Sequence, residues 1–251
     1  MKSKPLAGAP SRPVRLYLVD DDVAFASLLG REISGWPEVQ LAGYAPSGRH
    51  AIAEVAARDP DIVSLEASLK DCDSLALATT LMELCPRVLV ILLLSGFSDF
   101  LIYRIAKSAA ISGIVVKAAD IPQELRQAIR SVQGGHRHFP RSFDDARRAL
   151  WQKPDAFFKI LSEREQTLIP LLGSGATNDE IAGKVGLRPA GIQAHRQRIM
   201  SRLGFHRAQD LMLWQQRPVS LGCLSGLSCE TRPISTDYLG PFQITRRPWE
   251  G

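Results

Sequence analysis

Runs of apolar residues alternate with amphipathic stretches from residue 14 to residue 135. "VRLYLV" (14–19), "VQLAGYA" (39–45), "DIVSL" (61–65), "RVLVILLLS" (87–95) and "GIVVK" (113–117) have strand length and carry β-branched or leucine side chains. Between them, "VAFASLLGREISGW" (23–36), "SGRHAIAEVAARD" (47–59), "SLALATTLMELC" (74–85), "DFLIYRIAKSAA" (99–110) and "PQELRQAIRSVQGG" (122–135) space their apolar residues as helices do. The last of these is stopped by Gly-Gly. Strands that are apolar throughout are buried on both faces, so the sheet is parallel with helices above and below. Five strand–helix units predict a (βα)5 doubly wound α/β domain over 14–139. A site on such a domain lies at the carboxyl ends of its strands.

The pattern changes after residue 139. Residues 140–158, "PRSFDDARRALWQKPDAFF", have Pro and charges at both ends with a short helical pattern inside, and read as a linker. Residues 159–217 hold only helix signals, in pieces too short for a bundle, and predict a separate all-α tetrahelical domain. Ser162 with Glu165, and Thr177 with Glu180, are two capping boxes. "PAGIQAHRQRIMSRLG" (189–204) starts with Pro at the first helical position, and "RAQDLMLWQQ" (207–216) is the fourth helix. Residues 218–251 are rich in Pro, Gly, Ser and Thr without periodicity and read as an irregular tail.

Composition adds a partner. The chain of 251 residues has 45% hydrophobic and 23% charged residues, as soluble globular proteins do. Its longest apolar run, Val88 to Leu94, is far short of the ~20 residues that span a bilayer. The basic, Pro-rich start lacks the apolar core of a secretory signal, so no membrane association and a cytoplasmic location are expected. Cys72, Cys85, Cys223 and Cys229 have no metal-binding spacing. Reduced thiols are the default, although Cys223 and Cys229 could pair in an oxidising compartment. Residues 14–140 carry 12 Lys/Arg against 15 Asp/Glu, whereas 159–217 carry 9 against 5. The basic second half hints at a polyanion partner.

Candidate chemistry gathers at strand ends: Asp20 and Asp21 after the first strand, Glu66 after the third, Ser95 after the fourth and Lys117 after the fifth. Converging carboxylates repel one another unless a cation sits among them, and an all-oxygen set of Asp20, Asp21 and Glu66 would suit Mg²⁺. The hydroxyl and ammonium opposite could hold phosphoryl oxygens. Asp61, at the other end of the third strand, is ~13 Å from this place.

"LYLVDDD", "PDIVSLE", "VILLLSG", "GIVVK" and "ELRQAIRSVQGGHRHF" resemble the receiver domain of two-component response regulators. Residues 161–204 resemble a LuxR-type helix-turn-helix, and the two together resemble the NarL/FixJ class over about 190 residues. The resemblance implies a non-enzymatic, dimeric DNA-binding transcription regulator, with a sensor kinase or another protein as a further partner. It puts the phosphoacceptor at position 66, Mg²⁺ on Asp21 with Asp20 behind it, a phosphoryl contact at Ser95 and an ion-pairing role on Lys117. The segment 99–117 becomes a candidate dimer surface. This chain departs from the family at several places. The acceptor is Glu66 rather than Asp, Lys70 and Ser74 replace a proline and a glycine, Ile114 replaces an aromatic, and Ala118 replaces a proline. One added methylene moves the carboxylate by about 1.5 Å, and phosphoryl transfer depends on positioning. A pseudo-receiver is therefore expected, with Glu66 reaching toward Lys117 and Ser95 and holding a state like the phosphorylated one. An inert Glu66 and a conventional phospho-switch are the alternatives.

In the second half, the resemblance sends helix 189–203 into the major groove. Gln193, Arg196 and Gln197 share one face, with Ala194 and His195 beside them, and Arg188, Arg198 and Arg202 add phosphate contacts. Lysines common in the family are replaced by Asp179, Gln193 and Gln197, which should lower non-specific affinity. Glutamine suits bidentate reading of adenine. An interaction module that no longer reads DNA is the competing reading.

Overall fold

The computed structural model describes residues 12–118 and 120–216. The 218–251 tail and Cys223 with Cys229 lie outside the described residues. Among those described, no helix is long and apolar enough to cross a membrane. The chain divides into two compact units. Among the described residues, the first takes in those up to Leu69, Asp73–Leu94 and Ala109–His138, and the second takes in Lys70–Cys72, Ser95–Ser108 and those from Phe139 to Gln216.

The first unit is an α/β layer structure. Its strands are β1 (Val14–Val19), β2 (Val39–Ala45), β3 (Ile62–Glu66), β4 (Leu89–Leu94) and β5 (Ile111–Val116). They form one parallel sheet in the order β2-β1-β3-β4-β5. This is the doubly wound sheet that the apolar runs predict, with β1 and β3 side by side at its centre. Helices α1 (Val23–Ser34), α2 (Gly48–Arg58), α3 (Ser74–Leu84) and α5 (Ile121–Gln133) cover it. α1 packs on α5, and the two bury Leu29, Ile33, Leu125, Ile129 and Val132 against Leu16, Leu18, Ile91, Leu93 and Val115. α2 packs on α3. Burying each such Leu, Ile or Val stabilises by about 1.5–3 kcal/mol.

Local sequence starts each helix. Asp22, Ser47 and Asp73 accept backbone N–H bonds at the N-termini of α1, α2 and α3. Pairing of β1 with β2 shifts register between Leu16 and Tyr17, and Gly43 lies opposite Tyr17. A Cβ on Gly43 would stand 2.8 Å from the Tyr17 ring, so the ring's place on the sheet requires glycine there. At the amino end of β3, Asp61 accepts from Arg12 and from the Arg15 backbone N–H, which commits it to the edge remote from the strand ends.

The second unit holds α4 (Asp99–Lys107), α6 (Arg141–Gln152), α7 (Phe157–Ile160), α8 (Glu163–Gly173), α9 (Asn178–Val185), α10 (Pro189–Leu203) and α11 (Ala208–Gln216). Two particulars differ from the sequence pattern. Residues 140–158, read as a linker, carry α6 and part of α7 and bury Phe143, Ala146, Leu150 and Phe157. α4, read as the fourth helix of the α/β domain, packs on α6 and α11. Its Phe100 meets Phe157 and Trp214, and its Tyr103 stacks on Phe158 and donates its hydroxyl proton to Gln166 at 2.7 Å. Phe100 is exposed on neither account of helical amphipathy nor of packing, since it is buried in this aromatic cluster. The candidate dimer segment 99–117 is thus divided: α4 spends its aromatic face inside the second unit, and β5 lies in the sheet.

An ion-pair cluster fastens α5 in the first unit. Glu38 accepts from Arg126 at 2.6 Å and from Arg130 at 2.9 Å, and the Arg126 guanidinium lies over the Trp36 ring. The Arg126 hydrogen bond, against a smaller effect of burial and with help from Arg130, brings the Glu38 carboxyl down to about 2. The folded value lies below the unfolded one, so the ionised form is the stabilising one. Its contribution is present above about pH 4.5 and lost as pH falls toward 2. Glu38→Gln should lower stability at pH 7 by roughly 1 kcal/mol or less, measured by urea unfolding, and the difference from wild type should vanish near pH 2.

Candidate functional site

Two sites emerge, one in each unit. In the first, the parallel sheet brings the ends of β1, β3 and β5 together. Glu66 is the last residue of β3 and only 6% exposed. Its Oε1 accepts the Ser68 backbone N–H at 2.8 Å, and its Oε2 is 2.5 Å from Lys117 Nζ. The same ammonium donates to Asp20 Oδ2 at 2.8 Å. Asp20 Oδ1 accepts the Asp22 backbone N–H, and the Asp20 carbonyl accepts the Tyr44 hydroxyl. Lys117 is anchored by its own N–H to the Leu94 carbonyl, and its Nζ sits 4.1 Å from the centre of the Phe25 ring. One cation is therefore shared by two buried carboxylates under an aromatic cap.

Burial pushes the Glu66 carboxyl above its usual range, with Lys117 pulling the other way. Burial also draws Lys117 down, but Glu66 and Asp20 outweigh it and the ammonium ends above its ordinary value. Ser74, where the resemblance leads one to expect glycine, donates its hydroxyl proton to the Glu66 carbonyl at 2.7 Å and ties the start of α3 to the end of β3. Ile114 is fully buried in β5, so the position of the family's aromatic is core here.

The Mg²⁺ reading does not fit these residues. Mg²⁺ needs near-octahedral oxygen ligands at about 2.0–2.1 Å, and the Lys117 ammonium already stands between Asp20 and Glu66. Asp21 is half-buried beside them. Among the described residues no group of three or more His, Cys, Asp or Glu is placed to hold a metal ion. Ser95 follows β4, is exposed, and groups with the second unit.

The second site is built by α8, α9 and α10. Both capping boxes form: Ser162 with Glu165 starts α8, and Thr177 with Glu180 starts α9. Gly186, at φ 67°, ends α9 and makes the turn into α10, where a side chain would be strained. Ile181, Ala182, Ile192 and Ile199 hold α9 and α10 in the core. Glu165 is 1% exposed, and its Oε2 accepts from Ser162 and from Arg202 at 2.8 Å, with Arg198 3.6 Å from its Oε1. Burial raises this carboxyl, but the Ser162 hydrogen bonds and both arginines outweigh burial and set it below its ordinary value.

The predicted recognition residues separate into two groups. Arg188, Gln193, Ala194, Gln197 and Arg198 are exposed on α10 and its N-cap. Arg196 is turned inward: its Nε donates to Asn178 Oδ1 and its NH2 to the Ala176 carbonyl. Arg202 is committed to Glu165 and the Ile160 carbonyl. Arg196 thus frames the helix, whereas Arg202 pairs with Glu165 from a side chain that stays exposed. His195 is half-buried, and burial, then Arg198 and Arg164, lower its pKa below the ordinary imidazole value. Reasoning from sequence missed Asn178 and Phe25. Asn178 follows the Thr177 cap, so its proximity to α10 was open to inference; the Phe25 cap on Lys117 had no sequence signal.

Comparison with known proteins agrees with this architecture. Residues 159–215 match the model for bacterial regulatory proteins of the luxR family. The response regulator protein VraR of Staphylococcus aureus is 24% identical over 190 residues, covering 76% of this chain and 90% of that protein. RcsB from Salmonella enterica serovar Typhimurium, solved bound to promoter rprA with phosphomimetic BeF3⁻, superimposes with a TM-score of 0.62 at 19% identity, over 82% of this chain and 99% of that one. The same protein bound to promoter P1flhDC gives 0.57 at 19% identity, over 81% and 98%.

Removing one member of a buried ion cluster leaves its partners uncompensated. Lys117→Met should destabilise the α/β unit by roughly 3–5 kcal/mol in denaturant unfolding. Glu165→Ala should destabilise the helical unit by about 2–4 kcal/mol, since a cap and the partner of Arg202 are both lost.

Proposed function

Starting from a response regulator of the NarL/FixJ type, with a receiver-like domain and a LuxR-family helix-turn-helix domain, we propose that this protein is a cytoplasmic transcription regulator. It binds double-stranded DNA through α10 as a homodimer. Its receiver is set by Glu66 rather than by phosphorylation, and no enzymatic step is assigned to it. The observation that carries the receiver reading is the Glu66–Lys117 contact. The added methylene of glutamate lets the carboxylate span to the ammonium from the end of β3, so the charge pair forms without a phosphoryl group. The Lys117 ammonium, in contact with both Asp20 and Glu66, supports the same reading. Phosphorylation by a sensor kinase is not required for DNA binding in this scheme.

The DNA reading rests on the exposed row Arg188, Gln193, Gln197 and Arg198 on the second helix of a helix-turn-helix. Arg188 and Arg198 position α10 on phosphates, while the two glutamines face base edges.

Unmodified protein should enrich particular sequences from a random duplex pool. Arg198→Ala should weaken binding alike across sequences and reduce the salt slope by about 0.9. Incubation with acetyl phosphate and Mg²⁺ should leave the mass and the DNA affinity unchanged. A phosphoryl mass increase that disappears in Glu66→Ala would make this a conventional phospho-switch instead.

A further inference from the structure

The arrangement of Asn178 between α9 and α10 decides which way Gln193 faces its target. Asn178 is the first residue of α9, set in place by the Thr177–Glu180 capping box. Its Oδ1 accepts from Arg196 Nε at 3.1 Å, and its Nδ2 donates to Gln193 Oε1 at 2.7 Å. Side-chain amides have two nearly indistinguishable ends, but this one is fixed by its neighbour. A guanidinium only donates, so the atom of Asn178 that faces Arg196 must be the carbonyl oxygen. Arg196 is held in turn by the Ala176 carbonyl, an acceptor fixed in the backbone. The amino group of Asn178 therefore faces Gln193, and Gln193 must answer with its carbonyl. The group that Gln193 presents outward is its NH2.

We propose that Asn178 is a specificity-determining residue, one that makes Gln193 a hydrogen-bond donor toward DNA. This rests on the DNA-binding reading above. An unrestrained glutamine reads adenine by offering a donor to N7 and an acceptor to the N6 amino group together. Here the acceptor is turned back to Asn178. The outward NH2 suits guanine, whose O6 and N7 are adjacent acceptors in the major groove. The Arg196–Asn178–Gln193 relay thus inverts the base preference that glutamine alone implies.

The test compares the full chain with Gln193→Ala, Asn178→Asp and Asn178→Ala, each selected against a random duplex pool. Selection is followed by titration of matched duplexes that differ at one base pair, and circular dichroism confirms that the variants fold. Wild type should prefer guanine over adenine by about tenfold at the position whose preference collapses in Gln193→Ala. Asn178→Asp offers Gln193 only acceptors, so the glutamine must turn its amino group inward and its carbonyl outward. Preference should then move to a base that donates, adenine through N6 or cytosine through N4. The added negative charge lowers affinity for all duplexes alike, so the ratio between duplexes is the readout. Asn178→Ala releases Gln193 and should shrink the guanine-to-adenine ratio. Wild-type preference for adenine at that position, or a guanine preference unmoved by both Asn178 variants, would overturn the relay. Failure of wild type to enrich any sequence would instead remove the DNA-binding reading and the inference with it.

Discussion

A parallel sheet sends the carboxyl ends of its central strands to one edge, and any charge the strands carry there must be neutralised in a confined space. In this protein β1 and β3 deliver Asp20 and Glu66, and the residue that follows β5 delivers Lys117. The carboxylates are almost fully buried and the ammonium is 17% exposed. At that depth two uncompensated negative charges would cost several kcal/mol each. The shared cation makes the arrangement stable, and it also determines what else the site can do. One ammonium thus answers two carboxylates, Asp20 and Glu66. Ser74 and Phe25 complete the enclosure, one by holding the strand end and the other by covering the cation.

The helical unit meets the same problem on a smaller scale. Glu165 is buried to 1% exposure and would be costly alone. Its capping role at α8 and its pairing with Arg202 make one carboxylate serve a helix start and a helix–helix junction together. Arg196 does likewise between α9 and α10, through Asn178 and the Ala176 carbonyl. Side chains that look like a basic surface in the sequence are thus partly consumed in aiming α10, and the outward chemistry falls to fewer groups.

Most of the fold was legible because continuous apolar runs and helical spacing are local signals. β1 and β2 lie at the predicted residues, and the ends of the other predicted strands and helices agree to within three residues. The doubly wound class of the sheet and the helical nature of the second domain follow from pattern alone, whereas the strand order comes from the structure. The grouping of α4 with α6 and α11 was not legible, because Phe100 and Tyr103 suit either an α/β face or a helical core. Only the long-range partners Phe157, Phe158 and Trp214 decide between them. At the site, the convergence of Asp20, Glu66 and Lys117 was readable from strand ends, whereas the Mg²⁺ reading gave way to Lys117 itself. The inward turn of Arg196 was hidden, since a helical wheel places residues on faces but does not show which neighbours claim their donors.

The aromatic cluster around Phe157 means that the second domain cannot be lifted out at the boundary its family match suggests. A proteolytic fragment beginning at residue 159 would leave behind Phe100 and Phe157, which cover Trp214. The liberated piece would carry a greasy scar where α4 and α7 had been, and its first property in solution would be adhesiveness.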